Sequence, residues 1–424
     1  TVRAWTHAPV DLRQLWANTL SHADKDYLVY GDERWTYAQA HEEVNRIANW
    51  LQGAGVQQHD RVAIAMRNYP EWMLAYWAVT SMGAVVVGVN AWWVPAELSY
   101  ALEDSTPKVM ICDRERLERF AEIRQDFPGT RAVAVRCDAV PEWATDWADV
   151  LTAEPQMPEV TIDPDDDACI FYTSGTTGRP EGAQLTHRGC SNNVFSMLFL
   201  NVSQVTLTAR MRDDPNLDPA NPDGLPPANL VATPLFHVTA NNCSAQPNTI
   251  AGGKLCFMYK WDTEEALRII QDEKIRTIAS VPAMTRELVT HPSFDDYDTS
   301  SVVGFGGGGA AVQPDLIAKI DERGRAANQG YGMTEACGII SASLGAFLVE
   351  KPTSCGPVLP IYEVKISGPE GEALPAGEIG EVCVRGAQII KGYLNRPEAT
   401  ADTIVDGWLQ TGDIGYLDED NFLY

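Results

Sequence analysis

From residue 61 to about residue 330 the chain alternates short apolar runs with helical stretches, and this rhythm constrains the fold more than any other feature. Residues 62–66 read as a buried strand, and residues 70–82 as a helix opening on a proline. Residues 85–87, 95–103 and 109–112 continue as strand, helix and strand. The pattern returns at 168–172, 230–233, 254–257, 275–280 and 302–305. Such alternation implies parallel sheets covered by helices on both faces. The strands are too many for one sheet. The expected fold class is therefore α/β, with two layered sheet-and-helix subdomains across residues 1–333.

After Thr334 the texture changes. Residues 364–366, 380–385 and 386–393 are short, glycine-punctuated and alternating. They predict antiparallel strands of a small β-barrel spanning 334–424. Residues 211–227, rich in proline and aspartate, read as a surface loop.

Composition narrows the partners. With 45% hydrophobic and 21% charged residues the chain is neither disordered nor collagen-like. No apolar run approaches the roughly 18 to 20 residues of a membrane helix, and residues 1–9 carry no secretory signal. Thr1 is not a methionine, which leaves an upstream start open. The net charge of −26 argues against nucleic acid and anionic lipid as partners, but not against a small polyphosphate in a local pocket. Nine scattered cysteines without a CxxC pair read as free thiols of a reducing cytoplasm. Neither the cysteines nor the seven histidines have zinc-ligand spacing.

Five short segments carry chemistry. In residues 172–182 (YTSGTTGRPEG), Thr173, Ser174, Gly175, Thr176, Thr177 and Gly178 follow an apolar strand. They gather hydroxyls and unhindered N–H groups, the donors a polyphosphate needs. No Lys-Ser or Lys-Thr follows, so this is not a Walker-type loop. In residues 330–335 (GYGMTE), Tyr331 between glycines can lie against a flat base, and Thr334 and Glu335 suit a phosphate oxygen and a hard divalent cation. Residues 306–311 (GGGGAA) allow close approach of a ligand to the backbone. Asp413, in the Thr411-Gly412-Asp413 turn, can accept both hydrogens of a ribose diol. His237, in Pro234-Leu235-Phe236-His237, is by itself most simply a structural histidine.

Together these strings resemble the adenylate-forming superfamily of acyl- and aryl-CoA synthetases, luciferases and peptide-synthetase adenylation domains. TSGTTGxPxG looks like its phosphate loop, residues 94–105 its PxELxYxLxDS helix, and residues 386–400 another of its strings. The resemblance implies ATP, Mg2+ and CoA as cofactor and cosubstrates, and a small carboxylic acid as the other partner. It implies that Tyr331 stacks on adenine with Gly332 beside it, and that Thr334 contacts the α-phosphate. Glu335 would bind Mg2+, and Asp413 would hold the ribose hydroxyls. Gly308, Gly309 and Ala310 would wall the adenine and acyl pocket, and His237 would line the acyl site. Thr334, Glu335 and His237 are the expected catalytic residues. His237 and Met333 point away from amino-acid substrates, and four glycines in a row point to a bulky or long acyl group. The expected reaction is acyl-CoA formation through an acyl-adenylate, on a fatty or other hydrophobic acid. An aryl-CoA ligase and a catalytically weak nucleotide- or acyl-binding homologue are the alternatives.

One position departs from the pattern. Glu181 stands where the family has lysine, and the expectation is that it points to solvent from the loop tip. Family members also continue beyond a segment like residues 413–424 into a mobile domain that carries a catalytic lysine. The chain is thus expected to be the large N-terminal domain of a longer enzyme, with poor turnover by itself. Oligomeric state is left open, a homodimer included.

Overall fold

The computed structural model describes residues 2–174, 178–212 and 224–424. Its largest sheet has eight strands in the spatial order Gly392–Tyr393, Pro180–Thr186, Asp167–Ser174, Val85–Gly88, Arg61–Ala65, Val109–Asp113, Arg131–Val135 and Ala144–Asp146. The six from Asp167–Ser174 onward run parallel, and the first two add an antiparallel edge. A second sheet orders Thr277–Ala279, Ala228–Val231, Lys254–Phe257 and Asp26–Tyr30 in parallel, with Glu33–Thr36 antiparallel at its edge.

The helix Pro70–Ser81 explains why two sheets stack. All of its residues are buried, so it lacks the polar face of an ordinary surface helix. Its side chains share one core with Val62, Ile64, Val86 and Ile111 of the large sheet and with Leu28, Val231, Leu255 and Phe257 of the second. Its polar groups are matched locally: Trp77 Nε1 donates to the Tyr27 hydroxyl at 2.8 Å, and Glu71 pairs with Arg136 at 2.9 Å. The alternate residues Ala63, Ala65, Val85 and Val87 face the opposite way, onto Leu98, Leu102, Leu117 and Phe120. Both faces of the large sheet are therefore covered, as the continuous apolar runs require.

The C-terminal region forms an antiparallel half-barrel sheet, Glu363–Ser367, Gly380–Arg385, Trp408–Gly415 and Ile404–Val405 in that order. Gly392–Tyr393, expected among the barrel strands, instead pairs with Pro180–Thr186 at the edge of the large sheet. Residues 213–223 of the expected surface loop lie outside the described residues. Among the described residues no helix is long and apolar enough to cross a membrane. All nine cysteines are free.

The third sheet, Phe305–Gly308, Ala327–Met333 and Gly338–Leu344, corrects one boundary. The strand expected at 302–305 begins at Phe305 and runs into the glycines. A Cβ on Gly306 would lie 1.8 Å from the Asn328 carbonyl oxygen, and one on Gly307 would lie 2.8 Å from the Ser280 carbonyl oxygen. These two glycines are demanded by neighbouring backbone and leave no room for a ligand. Gly308 is open, with Thr239 Cγ2 3.8 Å from the corresponding point, and Gly309 is open with φ +78°.

Two outcomes follow. Gly306→Ala should destabilise the protein by about 2 kcal/mol or more through overpacking, while Gly308→Ala should change stability by less than about 0.5 kcal/mol; thermal unfolding of both variants checks the contrast. His187 is fully buried, accepts from the Leu12 N–H through Nδ1 at 3.2 Å, and has its pKa pushed down to about 4 by burial. The unfolded imidazole protonates first as pH falls, so this contribution is complete above about pH 6.5 and is lost towards pH 4. The loss is on the order of 3 kcal/mol. His187→Gln should flatten the dependence of Tm on pH in that window, and an unchanged slope would contradict the assignment.

Candidate active site

The expected site residues gather on three structures. The first is the end of the strand Ala327–Met333 and the 3-10 turn Thr334–Ala336 that follows it. A chain reversing this tightly leaves carbonyls without regular partners. Here they are satisfied from several segments. The Glu335 carbonyl accepts from the Ile390 N–H at 2.9 Å, and the Ala336 carbonyl from the Tyr362 hydroxyl at 3.1 Å. The Cys337 carbonyl accepts from Asn242 Nδ2 at 3.1 Å. Cys337 itself has φ 52° in the left-handed region, held there by these bonds. The Glu335 side chain is 7% exposed and accepts from the Tyr393 hydroxyl at 2.8 Å. Burial and the adjacent Glu335 raise the Tyr393 pKa, which keeps that phenol a donor.

Tyr331 lies on the same strand, and its hydroxyl donates to Asp413 Oδ2 at 2.6 Å. Burial and the Asp413 carboxylate raise the Tyr331 pKa, so the phenol keeps its proton. Asp413 stands exposed on the strand Trp408–Gly415 of the half-barrel, where its N–H donates to Thr411 Oγ1 at 3.1 Å. A flat ring and an exposed carboxylate, 82 residues apart in sequence, thus meet at one point. Gly332, between Tyr331 and the turn, is exposed.

The second structure is a hairpin. Thr173 and Ser174 end the strand Asp167–Ser174, which returns antiparallel as Pro180–Thr186. The helix His187–Arg212 begins only after that second strand. Donors here therefore come from a hairpin end and not from a helix N-terminus. Gly178 is exposed, with φ +80°; Gly175, Thr176 and Thr177 lie outside the described residues.

Glu181 overturns one expectation. It is 7% exposed and does not point to solvent. It sits two residues before Ala183, whose side chain belongs to the core between the sheets, and strand alternation puts Glu181 on that same inner face. Thr173, paired with Glu181 and two residues after Phe171 of the same core, faces inward as well.

The third structure is the segment after the strand Ala228–Val231. His237 caps the short helix Val238–Ala240, its ring 4.7 Å from that of Phe236. Its edge is exposed, and the packing around the ring lowers its pKa, which favours the neutral imidazole. Thr239, two residues on, approaches Gly308 and so brings this segment against the glycine strand. Gly309 and Ala310 are exposed just beyond. A π-helical turn, Asn241–Ala245, follows directly and supplies Asn242 to the Cys337 carbonyl. Such turns recur at functional sites.

Sequence reasoning missed the residues that hold the Thr334–Ala336 turn: Asn193, Asn242, Gln388 and Tyr393. Asn193 Oδ1 accepts from the Ile339 N–H at 3.0 Å, and Gln388 Nε2 donates to Asn193 Oδ1 at 3.2 Å. Asn193 and Asn242 are polar groups with no motif to mark them, and Gln388 stands at an unspecified position of the 386–400 string. Tyr393 lay within a recognised string but had no stated role. Among the described residues no set of three or more His, Cys, Asp or Glu side chains forms a metal cage. Glu335 remains as a single buried carboxylate that fits a cation shared with substrate phosphates.

Comparison with known proteins identifies the family and the fold. The family model "AMP-binding enzyme" matches residues 15–394. A feruloyl-CoA synthase of Amycolatopsis sp is 34% identical over 395 residues, covering 93% of this chain and 74% of that protein. 4-Coumarate–CoA ligase 2 of Nicotiana tabacum is 34% identical over 419 residues, covering 96% and 73%. The inhibitor-bound N-terminal domain of FACL13 from Mycobacterium tuberculosis superposes with a TM-score of 0.83 at 28% identity, covering 98% of each chain. The o-succinylbenzoate CoA synthetase of Bacillus subtilis, bound to its acyl-adenylate intermediate, gives 0.80 at 26% identity, covering 97% and 77%. The chain belongs to the AMP-binding enzyme family, on the N-terminal-domain fold of the adenylate-forming enzymes.

Proposed function

We propose that this chain serves an ATP-dependent acid–thiol ligase that activates a hydrophobic carboxylic acid as its acyl-adenylate and passes the acyl group to the thiol of CoA. The observation that carries the reading is the Tyr331–Asp413 contact at 2.6 Å beside the held Thr334–Glu335 turn. A flat ring, an exposed carboxylate and a threonine–glutamate pair are the groups that a nucleotide's base, ribose and phosphates would call on.

In the first step a carboxylate oxygen of the acid attacks the α-phosphorus and the bond to pyrophosphate breaks. In the second, the thiol sulfur attacks the acyl carbon, and AMP leaves. Neither step needs a protein nucleophile; positioning and charge neutralisation suffice. The Thr334 hydroxyl addresses the α-phosphate, and Thr173, Ser174 and Gly178 address the outer phosphates. Glu335 would hold Mg2+, which neutralises phosphate charge when bound. Gly308, Gly309 and Ala310 wall the base and acyl pocket. The neutral His237 lines the acyl side without offering an anion to a substrate ammonium.

An aromatic acid is the favoured substrate. Its support is twofold: the names of the 34%-identical relatives, and the loss of Gly306 and Gly307 as ligand space, which leaves a narrower slot than four open glycines. A fatty acid is the alternative; a Mycobacterium tuberculosis fatty acyl CoA synthetase superposes with a TM-score of 0.82 at 27% identity. The free thiols suit a reducing compartment.

Two measurements test the reading. Pyrophosphate release by the full-length protein, followed with ATP, Mg2+ and a panel of cinnamic-type and long-chain acids, should be fastest with an aromatic acid. No release with any acid, despite ATP binding, would favour a binding homologue. Asp413→Ala should weaken ATP or AMP binding by roughly ten- to a hundred-fold, because the carboxylate accepts charged hydrogen bonds. Unchanged affinity by calorimetry would remove Asp413 from the nucleotide site.

A further inference from the structure

The hairpin end that carries Thr173 and Ser174 has an electrostatic problem. The chain has a net charge of −26, which opposes a triphosphate unless a cation stands close by. Position 181, where the resemblance leads one to expect lysine, holds Glu181, and that side chain is 7% exposed on the inner face of its strand. Other cations that flank the hairpin are engaged by carboxylates. Lys391 pairs with Asp167 at 3.4 Å, Arg188 with Asp165 at 2.7 Å, and Arg396 with Asp104 at 3.3 Å. Arg179 is the exception. It is exposed, and it has no ion pair or hydrogen bond among the described residues.

The register of the hairpin sets where Arg179 stands. Ser174 and Pro180 form the last pair of the antiparallel ladder. Arg179 is therefore the first residue beyond that pair, next to Gly178 with its φ of +80°. Its guanidinium lies 5.7 Å from the centre of the Tyr100 ring, and Tyr100 packs on the cluster that covers the outer face of the large sheet. Tyr100 is itself fixed. Its hydroxyl donates to the Pro180 carbonyl at 2.9 Å and accepts from Arg396 Nη2 at 2.8 Å. Asp104, which holds Arg396, also accepts from the Tyr172 hydroxyl at 3.1 Å. A ring tied to the hairpin's own backbone thus keeps Arg179 at the hairpin end. The contact is close to the outer limit of about 6 Å for a cation over a ring. It aims the guanidinium and leaves its charge uncancelled. A guanidinium offers a planar fork of N–H donors that matches two phosphate oxygens at once.

We propose that Arg179 is the residue that receives the outer phosphates of ATP, supplying from the outer side of the hairpin the positive charge that position 181 lacks. The inference rests on the ligase reading for the identity of the ligand. When ATP binds, the guanidinium exchanges the Tyr100 ring for phosphate oxygens, with Ser174 and Gly178 beside it. AMP has no outer phosphates, so Arg179 takes no part in holding it.

Calorimetry of ATP and AMP binding in the presence of Mg2+ tests this, on the full-length parent, Arg179→Ala and Arg179→Lys, with thermal unfolding as the folding control. Arg179 is exposed, so both variants should keep the Tm of the parent. Arg179→Ala should weaken ATP binding by roughly ten-fold or more and leave AMP binding within about two-fold of the parent. Arg179→Lys should retain most of the ATP affinity, since the charge is kept. Raising the salt concentration should weaken ATP binding to the parent more than to Arg179→Ala. An ATP affinity of Arg179→Ala equal to that of the parent, or an equal loss for ATP and AMP, would overturn the assignment and leave the ligase reading in place. A parent that binds neither ATP nor AMP would sink the ligase reading, and the assignment with it.

Discussion

Everything in this structure depends on the burial of one helix. Pro70–Ser81 has no side facing water, so it must be covered all round. The large sheet covers one side and the second sheet another, and their shared core is the layer in which Phe171, Ala183 and Tyr393 also sit. The sheets could stack elsewhere only by exposing Trp72, Trp77 and their aromatic neighbours, each worth on the order of 2 kcal/mol or more when buried.

The site adds a second layer of constraint. The Thr334–Ala336 turn is short, yet its carbonyls are bonded by Ile390, Tyr362 and Gln388, and that of Cys337 after it by Asn242. Those partners come from segments far apart in the chain. Glu335 is therefore held by the fold itself, through the backbone of its turn and the Tyr393 hydroxyl. The π-helical turn after His237 is tied to the chain just after this turn through one asparagine. A change near His237 would be felt at Cys337.

Strands such as Arg61–Ala65, Val109–Asp113 and Lys254–Phe257 were legible because each holds an unbroken run of buried apolar residues. The helices opening at Pro70 and Pro95 were legible because proline marks a first helical turn. The strand Pro180–Thr186 was not, since Pro-Glu-Gly-Ala-Gln-Leu-Thr carries no strand periodicity and forms by pairing with its neighbours. The strand Phe305–Gly308 was hidden for the opposite reason: glycine reads as a turn, and only the Asn328 carbonyl reveals that a side chain would not fit. Tyr331, Thr334, Glu335 and Asp413 were legible as motif residues, and Glu181 was legible as a departure.

The sequence by itself determined the chemical inventory and the α/β class: which side chains can stack, donate, accept and ligate, and which runs must be buried. These follow from residue type and period, which are local. Only the tertiary structure decided that Tyr331 meets Asp413, that Tyr393 holds Glu335, that two of four glycines serve packing, and that Glu181 turns inward. Each of those depends on strands paired across long stretches of chain. The register of such pairing is set by burying one face of a sheet against another, and no local stretch of sequence contains that information.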